Sequence, residues 1–272
     1  MKHIPAIKTV LLDMDGVLWH GSEPVIDIQS LFKCIRDSNL QAYCVTNNST
    51  SSVGYHLERL RGFGVSLSPQ QIITSAEATG AYLKKTFSEG GDVFLIGEEG
   101  IRQALEQRGF DILEVGSNKD PLAVIVGLDR GFNYRVFNQA VQHIRRGAQF
   151  LGTNPDLTLP TPQGPAPGAG SIIAGIEASS GKKAHIIGKP NMDLYSLALS
   201  RSSSQPGEVI MIGDRLETDI LGAQRLGMLT GLVLTGISTR EQAENWNPQP
   251  DIIAENAIQV IEKLRKFDEK PI

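Results

Sequence analysis

The sequence predicts an α/β fold built on a doubly wound parallel sheet, and three observations lead there. Short apolar runs alternate with segments whose apolar residues recur at helical spacing, along nearly all of the 272-residue chain. Polar clusters sit just past the ends of four of those runs, where an open parallel sheet gathers its C-terminal edges into one crevice. No internal repeat or low-complexity stretch breaks the alternation.

Composition narrows the classes of function. With 40% hydrophobic and 21% charged residues the chain can bury a substantial core, and its length suits one large domain or two unequal ones. A net charge of -4 and the lack of a Lys/Arg-rich run argue against a nucleic-acid surface and for small-molecule ligands. No apolar run is long enough to cross a bilayer, and Met1-Lys2-His3-Ile4-Pro5 opens onto a strand rather than a signal peptide, so a cytoplasmic location is expected. Two cysteines, Cys34 and Cys44, are too few for a disulfide framework and read as small buried hydrophobes. The five histidines lack zinc-site spacing, and His20 reads as lining the chemistry rather than performing it.

The first element is the run Thr9-Val10-Leu11-Leu12, which ends in Asp13-Met14-Asp15-Gly16. Ionised aspartates are costly to bury unpaired, so such an ending points to a site that needs negative charge. Asp-x-Asp-Gly is equally an ordinary turn, and the pair alone does not decide. A helix follows over 28–37, with Ile28, Leu31, Phe32 and Ile35 on one face, then a strand over 41–45 running into Thr46-Asn47-Asn48-Ser49. Together they make a β-α-β unit.

Ser51 offers a cap to a helix over 53–60, and Ser68-Pro69 and Ser75-Ala76-Glu77 resemble further helix starts. A second α/β layer is expected from strands at 93–96, 122–126 and 149–151 and helices at 98–107 and 134–145. Residues 154–170 hold five prolines and three glycines, the strongest loop signal in the chain, and lead into a small-residue helix over 171–179. The alternation resumes with a strand at 184–187, Gly188-Lys189-Pro190, a helix at 193–199, a strand at 209–212 and Gly213-Asp214-Arg215. A helix at 218–226, a strand at 229–234 and a helix at 257–265 complete it.

Brought to one sheet edge, these clusters form an inventory with Asp13, Asp15, Asp214 and Asp219 on the acidic side and Lys189, Thr46 and Asn47 as donors. Several carboxylates at one edge repel each other unless a hard cation lies among them, and oxygen ligands suit Mg2+. Metal, cation and nucleophile together are what phosphoryl transfer requires.

On the motifs Asp13-Met14-Asp15-Gly16, Thr46-Asn47-Asn48, Gly188-Lys189-Pro190 and Gly213-Asp214-Arg215-Leu216-Glu217-Thr218-Asp219, in that order, the chain resembles the haloacid dehalogenase superfamily. Gly152-Thr153-Asn154-Pro155-Asp156, Pro167-Gly168-Ala169-Gly170-Ser171 and residues 181–190 resemble its subfamily IIA, the NagD-like, 4-nitrophenyl phosphatase branch. The resemblance implies a Rossmann-like core with an inserted α/β cap of the larger, C2 type. Only a turn, one helix and one strand separate Asp15 from Thr46, so the cap falls between the second and third motifs. The expected division is a catalytic core of residues 1–78 plus 189–272 and a cap of residues 79–188.

The resemblance also implies roles. Asp13 attacks phosphorus, and Asp15 protonates the leaving oxygen and then activates water. Mg2+ is held by the carboxylates of Asp13 and Asp214 and the carbonyl of Asp15. Asp219 acts through water, or else orients Arg215 or caps the helix that begins there. Thr46 and Asn47 hold the phosphate, with Asn48 beside them or serving as a helix cap. Lys189 stabilises the transferring charge, the alternative being a surface lysine, although Pro190 favours a shaped turn.

Substrates of this branch are small phosphomonoesters: nucleotides, sugar phosphates, phosphoglycolate, pyridoxal phosphate. A homodimer through the cap is also implied. Gly168-Ala169-Gly170 follows Pro167 rather than a strand and carries Ile173 at the third glycine position, which speaks against a dinucleotide site and for a tight turn into the cap helix. That turn would place Leu157, Leu159 and Pro160 toward substrate, the alternative being that they pack the cap. A phospho-accepting or binding module with little turnover is the alternative, and Asp15 and the long insertion argue against it.

Overall fold

A computed structural model describes residues 7–161 and 163–268, so the N-terminal segment Met1–Pro5 lies outside the described residues, as does the side chain of Pro160. The chain divides into two compact units. One comprises Met1–Thr46, His56–Ile73 and Tyr195–Ile272, the other Asn47–Tyr55 and Thr74–Leu194.

In the first unit a six-stranded sheet runs Ile252–Ala254, Leu229–Val233, Val209–Gly213, Thr9–Leu12, Gln41–Thr46, Ile72–Thr74. Thr9–Leu12 lies between Val209–Gly213 and Gln41–Thr46, parallel to both, with Leu12 opposite Ile212 and Cys44. Val10, Leu11, Leu12, Ile210, Met211 and Ile212 are all fully buried. A parallel strand covered on both faces reads as a continuous apolar run, which is why these segments lack alternation. Helix Ile28–Asp37 has the predicted bounds and buries Ile28, Leu31, Phe32 and Ile35, and Asp27 caps it by accepting from the Ser30 N–H.

Several expectations change here. Ser68-Pro69 opens only the short 3-10 turn Pro69–Gln71, because strand Ile72–Thr74 follows at once. A hairpin of Trp19–His20 and Glu23–Pro24 sits after the first strand, too short to leave a periodic signal. The Arg59 guanidinium covers the Trp19 ring at 3.7 Å and donates to the Gly21 carbonyl, clamping that hairpin by cation–π and hydrogen bonding. Near the C-terminus lie a helix, Arg240–Asn245, capped by Thr239, and the edge strand Ile252–Ala254; each is too brief to show a period.

The second unit has its own parallel sheet, in the order His185–Ile186, Gln149–Gly152, Ala123–Val126, Gly91–Ile96, Phe110–Ile112. Phe110–Ile112 was not expected, since Asp111 at its centre is exposed and breaks the apolar run. One apolar cluster gathers Leu83, Ile101, Leu105 and Phe110, and another gathers Phe94, Val141, Ile144, Ile173 and Ile176. Helix Tyr134–Arg145 has the predicted bounds. The helix Val53–Gly62 takes its cap from Ser52, whose hydroxyl accepts from the Tyr55 N–H, not from Ser51. Ser75–Thr86 is a helix capped by Thr74.

Residues 154–170 are not a plain loop. They contain an antiparallel ribbon of Thr158–Thr161 and Gly164–Pro167, with Thr158 opposite Pro167 and Pro160 opposite Pro165. All three prolines share the parity whose N–H groups a two-stranded ribbon leaves unused, so the ladder survives them. Helix Ala169–Ser180 begins two residues earlier than expected. A Cβ at Gly168 would lie 2.2 Å from the Asp156 carbonyl oxygen and one at Gly170 2.3 Å from that of Pro155, so these glycines serve a close backbone approach.

Candidate active site

Asp13 ends its strand with its N–H donated to the Ile212 carbonyl at 2.9 Å, so the parallel register sets it level with Gly213 and beside Asp214. Its Oδ1 accepts from the Met14 N–H at 2.8 Å. Asp214 is held by the loop after strand Leu229–Val233: Oδ2 accepts from the Ile237 N–H at 2.8 Å and its carbonyl from the Ser238 N–H at 3.0 Å. A Cβ on Gly236 would stand 2.0 Å from Asp214 Oδ2, and one on Gly16, at φ +83°, 2.5 Å. Glycine is required at both places because the backbone packs directly onto the carboxylate.

Asp219 reaches the same place by a local distortion. Residues Leu216–Ile220 form a π-turn, with the Ile220 N–H bonded to the Arg215 carbonyl at 3.2 Å. The extra residue in the turn rotates Asp219 so that its Oδ2 accepts from the Arg215 N–H at 3.1 Å. Tyr195 supports the turn, its single hydroxyl hydrogen shared between the carbonyls of Asp219 at 3.0 Å and Thr218 at 3.2 Å. Burial, with the nearby charges of Asp219 and Asp13, pushes the Tyr195 phenol well above its ordinary range, so it remains a donor. Sequence reasoning missed Tyr195, and nothing local distinguishes it from any core aromatic.

Asp13, Asp214 and Asp219 are all buried, and one carboxylate oxygen from each lies within 4.8 Å of the others. Three carboxylates so close in a low-dielectric setting repel one another. A hard divalent cation would offset that repulsion, and carboxylate oxygens at these separations suit one such as Mg2+. The residues present therefore fit the metal. The Asp13 charge also shows in Cys44, whose thiol burial and that carboxylate push up to about 12, leaving it an inert buried hydrophobe. Cys34 departs from expectation in being only half-buried.

Asp15 is exposed, on the turn that follows. The Gly16 N–H donates to the Trp19 carbonyl at 2.8 Å, and Thr235 donates its hydroxyl to the Gly16 carbonyl at 2.6 Å. His20 bonds the Thr235 carbonyl at 2.6 Å, which gives it a part in shaping that turn. Thr46 is buried at the end of its strand.

In the second unit Asn47 and Lys189 are bonded to each other: the Lys189 N–H donates to Asn47 Oδ1 at 2.8 Å, and Asn47 Nδ2 donates to the Lys189 carbonyl at 3.1 Å and to Asp156 Oδ2 at 3.2 Å. Lys189 is 1% exposed, which removes the reading as a surface lysine, and the Lys189–Pro190 bond is cis. Asn48 turns the chain toward the next helix, its Oδ1 accepting from the N–H groups of Thr50 at 2.8 Å and Ser51 at 3.0 Å.

The chain is similar to known proteins over most of its length. Residues 10–111 match the haloacid dehalogenase-like hydrolase family and residues 186–260 a HAD-hydrolase-like family. The chain is 34% identical to 5'-nucleotidase YutF of Bacillus subtilis over 89% of this chain and 93% of that one. It is 32% identical to an acid sugar phosphatase of Staphylococcus aureus over 95% and 98% of the two chains. Among solved structures, a p-nitrophenyl phosphatase from Archaeoglobus fulgidus matches with a TM-score of 0.88 at 29% identity, covering 95% of this chain and 100% of that one. NagD from E. coli K-12 matches with a TM-score of 0.84 at 31% identity, covering 93% and 98%. Similarity this extensive, over both units, means that the chain belongs to the haloacid dehalogenase-like hydrolases, in their NagD-like phosphatase branch.

Proposed function

We propose that this protein is a Mg2+-dependent phosphomonoester hydrolase that works through an aspartyl phosphate on a small phosphorylated metabolite. The observation that carries the reading is the buried trio Asp13, Asp214 and Asp219, a charge arrangement that makes sense with a divalent cation. Mg2+ would be held by the carboxylates of Asp13 and Asp214 and the carbonyl of Asp15, with Asp219 through water, and it would supply neutralisation of the phosphoryl oxygens.

The Asp13 carboxylate attacks phosphorus, forming its P–O bond as the ester P–O bond breaks. Asp15, exposed on its turn, gives a proton to the leaving oxygen and then takes one from the water that cleaves the intermediate. Thr46 and Asn47 hold the phosphate, Asn47 by its backbone N–H because its amide is engaged with Lys189 and Asp156, and Asn48 shapes the loop beside them. Lys189 spreads the charge on the transferring group. In this reading residues 79–188 are the cap and residues 1–78 plus 189–272 the core, a division by role that differs from the two compact units, which group 47–55, 74–78 and 189–194 with the cap residues. Leu157, 62% exposed, offers an apolar contact to substrate with Leu159 beside it.

The nucleotidase and sugar phosphatase among the relatives favour a nucleoside monophosphate or sugar phosphate, with phosphoglycolate a smaller member of the same class. No helix among the described residues is long and apolar enough to cross a membrane, and action in the cytoplasm as a cap-mediated homodimer belongs to the same proposal. Release of phosphate from 4-nitrophenyl phosphate tests the core of it: activity should need Mg2+, vanish in excess chelator and vanish in Asp13→Asn with the fold retained. Full activity in either case defeats it. Asp15→Asn should slow turnover about 10²-fold while binding phosphate analogues normally, and a phosphomonoester panel then ranks substrates.

A further inference from the structure

The Asn47 amide brackets the Lys189 backbone much as a neighbouring strand would, accepting from its N–H and donating to its carbonyl. An amide nitrogen carries two hydrogens, and the second goes to Asp156 Oδ2. That carboxylate fixes which way the amide faces, since a flipped Asn47 would turn its oxygen onto Asp156 and its NH2 onto the Lys189 N–H. A Cβ at Gly188 would lie 2.6 Å from Asn47 Oδ1, so the close approach depends on glycine there.

Asp156 is anchored in turn. Its N–H donates to Asn154 Oδ1 at 3.1 Å, its carbonyl accepts from the Gly170 N–H at 2.9 Å, and Asn154 Nδ2 donates to the Asn47 carbonyl at 2.9 Å. Asn47, Asp156 and Asn154 thus close a hydrogen-bonded ring that meets the Lys189 backbone through the Asn47 amide, and the next residue along from Asp156 is the exposed Leu157.

We infer that Asn47 and Asp156 are positioning residues for Lys189, with Asp156 tying the segment that carries Leu157 to the lysine's placement. The inference rests on the proposed role of Lys189 at the phosphoryl group. The carboxylate orients the amide, the amide sets the Lys189 backbone, and the backbone sets where the ammonium side chain departs. A displacement of about 1 Å in such a group costs about 10²-fold in rate.

Steady-state kinetics on 4-nitrophenyl phosphate with Mg2+, beside melting temperatures, test it in wild type, Asp156→Ala, Asp156→Asn, Asn47→Ala and the double alanine variant. Asp156→Ala should lower kcat by about 10- to 10²-fold, with KM within about twofold and an unchanged melting temperature. Asp156→Asn keeps an oxygen acceptor and should recover most of the loss, and the double variant should be no slower than Asn47→Ala. A kcat for Asp156→Ala within about twofold of wild type, or losses that multiply in the double variant, overturns the inference. Should Asp156→Ala fail to fold, Asp156→Leu, which likewise offers the Asn47 amide no acceptor, gives the same reading: reduced kcat at unchanged KM supports it, and wild-type kcat overturns it. Wild-type protein that releases no phosphate removes the hydrolase reading and this inference with it, whereas active wild type with an unaffected Asp156→Ala removes this inference alone.

Discussion

Ile237 donates its backbone N–H to Asp214 Oδ2 at 2.8 Å, so the orientation of that carboxylate is set by a loop from a different strand. Asp214→Asn keeps the side chain's shape and an acceptor for that bond but removes one of three crowded charges. Affinity for Mg2+ should drop by about tenfold or more, read by titrating activity against the metal. Metal-free variant should melt above metal-free wild type because repulsion is relieved, and Mg2+ should raise the melting temperature of wild type more than that of the variant. Equal Mg2+-induced shifts in both proteins would argue that Asp214 is not a ligand.

Gly236→Ala should be far worse than a methyl group on a loop normally is. The added carbon would meet Asp214 Oδ2 at 2.0 Å, forcing the loop or the carboxylate to move. A loss of about 1–3 kcal/mol in urea unfolding is expected, together with weaker Mg2+ response. Wild-type stability in the variant would show that the loop relaxes freely.

Histidine titration should weaken the protein in acid. His56 is 4% exposed, and burial, with a smaller contribution from the Arg59 charge, brings its pKa from 6.5 to about 4. Between those values the unfolded chain binds a proton that the native chain refuses, so stability rises with pH across that window. The contribution is complete above pH 6.5 and lost as pH falls toward 4, worth about 3 kcal/mol. His143, lowered by burial and by Arg146, acts in the same sense. Urea unfolding at pH 7 and 4.5 should show a smaller difference in His56→Gln than in wild type, and identical differences would contradict the assignment.

Arg108 and Glu77 form a nearly buried, two-point ion pair, Nη2 to Oε2 at 2.9 Å and Nη1 to Oε1 at 3.2 Å. Glu77→Ala leaves the guanidinium without its counter-charge and should cost about 3 kcal/mol. Replacing both residues with apolar ones of similar size should cost less. Chemical denaturation of the single and double variants separates the two, and a double variant worse than Glu77→Ala would reverse the expectation.

The legible parts of this chain were those with a long period or a strong chemical contrast. Helices Ile28–Asp37 and Tyr134–Arg145 announced both ends because their apolar faces repeat over several turns. Asp13 and Asp214 were legible because charge at the end of an apolar run is costly and therefore conspicuous, whereas Asp219 was named only with the motif that carries it and with its role left open. Phe110–Ile112 and Ile252–Ala254 were not, since three residues cannot display a period. The hairpin within 154–170 was concealed by proline, whose placement on one parity only the pairing reveals. Tyr195 and the Asp156–Asn47 bond join residues remote in the chain, and no local pattern carries such information.

The anchoring of that hairpin separates its foot from its tip. Asp156 and Leu157 accept from the N–H groups of Gly170 and Gly168, and Ser171 donates its hydroxyl to the Leu157 carbonyl at 2.6 Å. The ribbon begins only after these bonds, at Thr158, and returns by Pro167. Residues 158–167 therefore form a cassette with ready-made splice points: its sequence and length can be exchanged, by divergence or by grafting, while the bonds around Asp156 and Lys189 stay as they are.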